Sequence, residues 1–243
     1  MIYACHTYYS LKYGTCKIEK LVERAKELGI DTLVLTDINN TTATFDFIKA
    51  CSSYGIKPII GAEIRNGDEL LYTLIVKTYK GFAEINKFIS RHNINKIDYQ
   101  IRPPKFENVY VIYPLSAISY NLSDNEFIAI RPGELSLIYN KIRNGQEEKL
   151  LAFNPVTFCS DNEYELHIHL RAIHHNVVLS KVKSDQLAGK EELLGSPTDI
   201  KSLYTDYPYP LKNAQNLIDC CDIEFDFKIK KNKQIFTSSR EED

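Results

Sequence analysis

What the chain lacks narrows its function before any motif is considered. No apolar run approaches the roughly 18 residues of a membrane-spanning helix. The opening MIYACHTYYSLKYG has no basic leader and too short an apolar part for a signal peptide. Neither membrane insertion nor export is expected. Charge of one sign is scarce as well: 30 Lys and Arg against 32 Asp and Glu leave a formal charge of −2, with no global field to draw the protein onto DNA or an anionic surface. Contact with nucleic acid would need a local patch. G-x-S-x-G, the P-loop pattern and G-x-G-x-x-G are all missing, so nucleophile-elbow hydrolysis, P-loop chemistry and dinucleotide binding have no support. The cysteines Cys5, Cys16, Cys51, Cys159, Cys220 and Cys221 show no C-x-x-C spacing. They read as reduced, mainly buried thiols, which favours the cytoplasm.

What remains is a chain of 243 residues, 44% hydrophobic, long enough for a substantial core. IYACH, TLVLTD, KPIIGAEI, LLYTLIVK, NVYVIYPL, EFIAIRP and KLLAFNPVTF read as strands. KIEKLVERAKELGID reads as a helix with Ile18, Leu21, Val22, Ala25 and Leu28 on one stripe and Gly29 at its end. Further helices are expected over roughly 41–54, over GFAEINKFISRHN and over GELSLIYNKIRNG. Apolar strands alternating with amphipathic helices describe a parallel sheet covered by helices, and seven strands before residue 160 suit a closed or distorted barrel. Beyond Asp161 the pattern turns helical, with Ser196-Pro197 and Tyr209-Pro210 as helix starts.

In such folds chemistry sits at the carboxyl ends of strands. Those positions hold His6, Asp37 and Glu63, then less securely Asp161 and His167. A hydrolytic metal site needs several imidazoles and carboxylates around an open coordination position. The neighbouring strand ends instead carry Ala4, Tyr13, Ile38, Thr73, Pro155 and Thr157. Each candidate also has a structural reading: His6 as a hydrogen-bonded strand-end histidine, Asp37 as a cap on its own turn, Glu63 as a partner of Arg65 or a lysine. On a helix, His167, His174 and His175 share one side while His169 points elsewhere, a pattern that also suits a solvated helix end. Tyr3, Tyr8, Tyr9 and Tyr13 could stack on bases or fill the mouth of the fold.

The segments ACHTYYSLKYG, KIEKLVERAKELGI, LVLTDINN and FDFIKACSSYGIKPIIGAE follow one another as in a known family. Their order resembles the PHP (polymerase and histidinol phosphatase) domain of the bacterial DNA polymerase III alpha subunit. The resemblance continues through LYTLIVKTYKGFAEINKFIS, LLAFNPVTF and SPTDIKSLYTDYPYPLKNAQNLIDCCDIEFDF. It implies an α/β fold, a distorted (β/α)7 barrel of PHP type with extra C-terminal helices. The implied division is a PHP domain over 1–225, with barrel core 1–160 and helical part 161–225, then a linker over 226–243 toward polymerase domains.

Carried over position by position, the histidines of the family's HxH fall on Ala4 and His6, the acid of its LLDG on Tyr13 and the histidine of its TDH, next to Asp37, on Ile38. The glutamate of GCE falls on Glu63, the histidine of YHL on Thr73, and the Asp and His of NDVH on Pro155 and Thr157. Only His6 and Glu63 survive as ligand types, so the resemblance implies a lost Zn/Mn cluster and no cofactor. The implied role is a scaffold within a replicative polymerase, with the rest of the alpha chain and a proofreading exonuclease subunit as partners and DNA reached through the parent enzyme. The alternative is an active metal-dependent phosphoesterase or 3′–5′ exonuclease. Lys228, Lys230, Lys231 and Lys233 could touch a phosphate backbone, or form a solvated tail.

Overall fold

The computed structural model describes residues 1–117, 121–141, 146–223 and 225. Lys228, Lys230, Lys231 and Lys233, with the rest of the expected 226–243 linker, lie outside the described residues.

The seven apolar segments form strands β1 (Ile2–Cys5), β2 (Thr32–Leu35), β3 (Lys57–Asn66), β4 (Glu69–Val76), β5 (Val109–Pro114), β6 (Glu126–Ile130) and β7 (Leu150–Val156). They close in sequence order into one barrel, β7 returning to β1 with Ala4 opposite Pro155. The fully parallel sheet read from the sequence is corrected at one strand. β4 runs antiparallel to both β3 and β5, because the tight turn at Gly67, with φ of 59°, is too short for the crossover that parallel strands need. The barrel is filled by the apolar runs themselves, with Ile2, Leu33, Leu35, Ile59 and Ile60 all buried.

The helical cover follows from local signals. α1 (Ile18–Glu27) buries Ile18, Leu21, Val22 and Ala25, the stripe its 3.6-residue period requires. α2 (Thr44–Tyr54) starts later than position 41, after a turn, and ends in left-handed Gly55. α3 (Tyr79–Asn95) packs on β3, β4 and β5. The helix expected over GELSLIYNKIRNG is mostly a 3₁₀ stretch, Pro132–Leu137, and one α turn, α4 (Ile138–Lys141); Gly133 disfavours a regular α start. α5 (Glu163–His175) stops at left-handed Asn176. α6 (Pro197–Ser202) is capped by Ser196, which accepts from the Asp199 amide, and α7 (Tyr209–Asp219) packs on β7 and β1. Among the described residues no helix is long and apolar enough to cross a membrane.

Candidate functional site

Backbone pairing beyond the strand ends draws the chemistry-bearing residues to one rim. The His6 amide donates to Val156 O at 2.8 Å, Thr36 N to Cys5 O at 2.9 Å and Glu63 N to Asp37 O at 3.2 Å. His6, Asp37, Glu63 and Thr157 therefore stand next to one another around the carboxyl ends of β1, β2 and β7 and the middle of the long β3. All four are buried.

Glu63 forms the centre of this rim. Its Oε1 accepts from Arg65 Nε at 2.5 Å, and its Oε2 lies 3.3 Å from His6 Nε2. Glu63 is buried and Arg65 half-buried, their side chains 3% and 11% exposed. Burial would raise the Glu63 carboxyl, but Arg65 and then His6 hold it well below the usual carboxylate range. Glu63 and Arg65 are two apart on one strand and share a face, with a register shift between Ile64 and Arg65. On the other side of the imidazole, His6 Nδ1 pairs with Thr157 Oγ1 at 3.0 Å, and that hydroxyl donates to Glu192 Oε2 at 2.5 Å. Since the hydroxyl proton goes to Glu192, Nδ1 is the donor to Thr157. Nε2, buried and without an aligned hydrogen bond, is the edge turned to Glu63.

Tyr13 covers the rim. Its ring lies 4.4 Å from the Arg65 guanidinium carbon, 5.6 Å from the His6 ring and 4.8 Å from the His167 ring, and its hydroxyl accepts from Arg65 at 3.2 Å. Burial pushes the phenol up to about 12, so it stays protonated. Gly14 allows this fold-back, since a Cβ there would lie 1.9 Å from Thr7 O. His167, also buried, is used at both nitrogens: Nδ1 donates to Tyr13 O at 2.7 Å and Nε2 accepts from Ala188 N at 2.9 Å. Burial lowers its pKa to about 4, which keeps the imidazole neutral.

Asp37 does not cap its own turn, as the sequence suggested. It ties the loop after β1, accepting from Thr7 N at 2.7 Å, Thr7 Oγ1 at 2.8 Å and Ser10 Oγ at 2.7 Å. Burial raises its carboxyl while those three donors oppose the rise. Ile38 offers no ligand atom: its side chain packs with Tyr13, Phe158 and Ala188, its backbone bridges Glu63, and its amide donates to Ser10 Oγ. Ala4 and Pro155 pair one layer below His6 and Thr157, and Thr73 stands opposite Glu63. With Phe153, Ile112 and Ala129, Thr73 lines a cavity of about 10 Å³, against the roughly 300–1,000 Å³ of a small-molecule site.

The remaining candidates lie elsewhere. Asp161 is exposed. His169 is exposed, and His175 pairs with Asp68 at 3.1 Å beside Arg171, which also binds Asp68; the helix end is tied down rather than merely solvated. Of the four tyrosines only Tyr13 fills the mouth: Tyr3 donates to the carbonyl of Gly195 at 3.3 Å, and Tyr8 stacks on Tyr9 with 43% of Tyr8 exposed. Sequence reasoning missed Glu192, which sits in a 3₁₀ turn, Lys190–Glu192, far along the chain from Thr157 and with no pattern pointing to it.

The donor set does not fit the metal cluster implied by the resemblance. Asp37 is engaged at both oxygens by three donors, His167 at both nitrogens by two partners, and Tyr13 keeps its proton. The remaining pair, His6 Nε2 and Glu63 Oε2, face each other with the Arg65 cation alongside. A divalent ion there would share its carboxylate with a guanidinium cation on Glu63 Oε1 and bind with too few ligands.

A family model described as the PHP domain matches residues 3–154. The DNA polymerase III subunit alpha of Streptococcus pyogenes serotype M3 is 26% identical over 237 residues, covering 92% of this chain and 21% of that protein. The subunit of Halalkalibacterium halodurans is 26% identical over 256 residues, covering 90% and 22%. That of Chlamydia muridarum is 47% identical over 60 residues, covering 25% of this chain and 5% of its own. The chain thus spans about a fifth of the length of the relatives it matches along most of its own length. A solved Bifidobacterium adolescentis protein, described provisionally as a metal-dependent phosphoesterase, covers 84% of this chain and 94% of itself at 12% identity and a TM-score of 0.30, too loose a likeness to bear on function.

Proposed function

Since the chain belongs to the PHP domain family, we propose that it works as the PHP domain of a DNA polymerase III alpha chain, with a barrel mouth that is structural rather than catalytic. The observation that carries this reading is the Arg65 guanidinium on Glu63. A fixed internal cation occupies the carboxylate that a catalytic divalent ion would need, and Tyr13 covers it. Neutral side chains at Ala4, Ile38, Thr73, Pro155 and Thr157 support the same reading, because without a metal clustered buried acids would each cost several kcal/mol. The Zn/Mn cluster and its phosphodiester chemistry are then absent from this domain.

In this reading the domain holds the loops around the mouth in one arrangement and contributes rigid surface to a cytoplasmic replicase. The rest of the alpha chain and a proofreading exonuclease subunit are its partners, and DNA is met through the polymerase parts. The test is hydrolysis of 3′-labelled single-stranded DNA and of a chromogenic phosphodiester with added Mn²⁺ or Zn²⁺. No turnover above the buffer control is expected. Turnover abolished both by chelator and by His6→Ala would establish the alternative, an active PHP phosphoesterase or exonuclease.

A further inference from the structure

A second group of ligating side chains lies outside the mouth, where the loop before α1 meets the first turn of α5. Cys16 Sγ, Cys159 Sγ and a Glu163 carboxylate oxygen all lie within 4.8 Å of one another. Cys16 and Cys159 are buried, 0% and 5% exposed. The geometry points to a thiolate site for a divalent cation of the zinc class, held by Cys16, Cys159 and Glu163.

Three atoms no more than 4.8 Å apart share a centre at most about 2.8 Å from each, by simple geometry (4.8/√3). Zinc bonds are about 2.3 Å to thiolate and 2.0–2.2 Å to carboxylate, so the side chains need close by at most about 0.5 Å at sulfur and about 0.6–0.8 Å at oxygen. The orientation is already set. Cys16 Sγ lies 3.4 Å from both Glu163 Oε2 and Thr157 O, the two acceptors within reach of its single S–H, and the Cys159 amide donates to the same Oε2 at 2.7 Å. When an ion binds, both thiols release their protons to solvent, and the Oε2 lone pair within reach of the Cys16 S–H turns to the metal. Thr157 O, or a water, completes a tetrahedron.

Charge balance favours this occupant. Lys20 Nζ sits 2.6 Å from Glu163 Oε1, so two thiolates and one carboxylate meet a dication and an ammonium with no net charge left over. That balance matters at a buried site. Two soft sulfur donors select zinc-class ions over magnesium or manganese. The residues come from the loop after β1, the loop after β7 and the start of α5, so a bound ion would clip the first and last barrel strands together. None of them is a strand-end candidate of the mouth, and the inference stands apart from the reading given above.

The test is Co²⁺ titration of the reduced chain, read by the thiolate-to-cobalt charge-transfer band and by the intense visible bands of a tetrahedral ion. One equivalent is expected to saturate both. The bands should persist in His6→Ala and in Cys220→Ser, which removes the exposed thiol. Cys16→Ser and Cys159→Ser should lose them, and Glu163→Gln, the least disruptive change, should weaken binding at least tenfold with an unchanged circular dichroism spectrum. Absence of the band in the native chain, its survival in Cys159→Ser, or unchanged affinity in Glu163→Gln would overturn the site. Visible cobalt bands without a charge-transfer band, lost in His6→Ala and unaffected by Cys159→Ser, would instead place the ion in the mouth and refute the structural reading of that mouth.

Discussion

Arg65→Met tests the charge logic of the rim most sharply. The substitution keeps the apolar stem and removes only the guanidinium. It leaves the Glu63 carboxylate, with its side chain 3% exposed, facing His6 alone. Removing one partner of a buried ion pair costs about 3–5 kcal/mol. For a domain of this size that corresponds to a fall in Tm of roughly 6–20 °C. Urea unfolding of the native chain, Arg65→Met, Glu63→Gln and the double variant gives the coupling directly. The double variant should recover at least about 2 kcal/mol relative to the sum of the singles, since it leaves no uncompensated charge. The pH dependence has a definite sign. Glu63 is held below its unfolded value, so its contribution is full above the ordinary carboxyl range and is lost as pH falls below it. The gap between native and Arg65→Met should therefore narrow in acid. A single-variant cost under about 1 kcal/mol, or additivity within about 0.5 kcal/mol, would refute the claim that Arg65 neutralises the rim.

Three further outcomes follow from the same geometry. His167 is lowered from its usual 6.5 to about 4, so the folded state resists a proton that the unfolded state accepts; stability should be full above about pH 6.5 and fall by up to about 3 kcal/mol between there and pH 4. Thermal melts across that range, with His167→Asn losing most of the slope, would check it. Asp37→Ala strands the Thr7 amide and the Thr7 and Ser10 hydroxyls and should cost about 2–4 kcal/mol in urea unfolding, whereas a surface-like loss under 0.5 kcal/mol would contradict its tying role. Gly14→Ala drives a Cβ to within 1.9 Å of Thr7 O; a loss of about 1–3 kcal/mol and an altered near-ultraviolet tyrosine signal are expected as the loop carrying Tyr13 shifts.

The barrel was legible because its strands are apolar runs and its helices end on residues with plain backbone reasons, Gly29 and Gly55 at positive φ and Pro197 in a first turn. The direction of β4 was legible in principle from the Asn66-Gly67-Asp68 turn, yet the alternating pattern on either side outweighed it. At the mouth, the rim positions of His6, Asp37 and Glu63 follow from strand ends, and Arg65 follows from two-residue alternation on β3. The partners of Asp37 and Thr157 were not legible. Thr7 and Ser10 fold back from a loop, and Glu192 arrives from a turn 35 residues beyond Thr157; neither contact leaves a periodic trace. The closeness of Cys16 and Cys159 was hidden for the same reason, since 143 positions separate them in the sequence.

Manganese is the ion that separates the two views of the mouth, because it prefers oxygen and imidazole donors and has little affinity for paired thiols. The most direct measurement is therefore a Mn²⁺ titration followed by electron paramagnetic resonance of the free ion, on the native chain and on His6→Ala and Glu63→Gln. With Arg65 seated on Glu63, the titration should show no tight site and no difference among the three proteins. One tightly bound Mn²⁺ per chain, lost in both variants, would contradict the account.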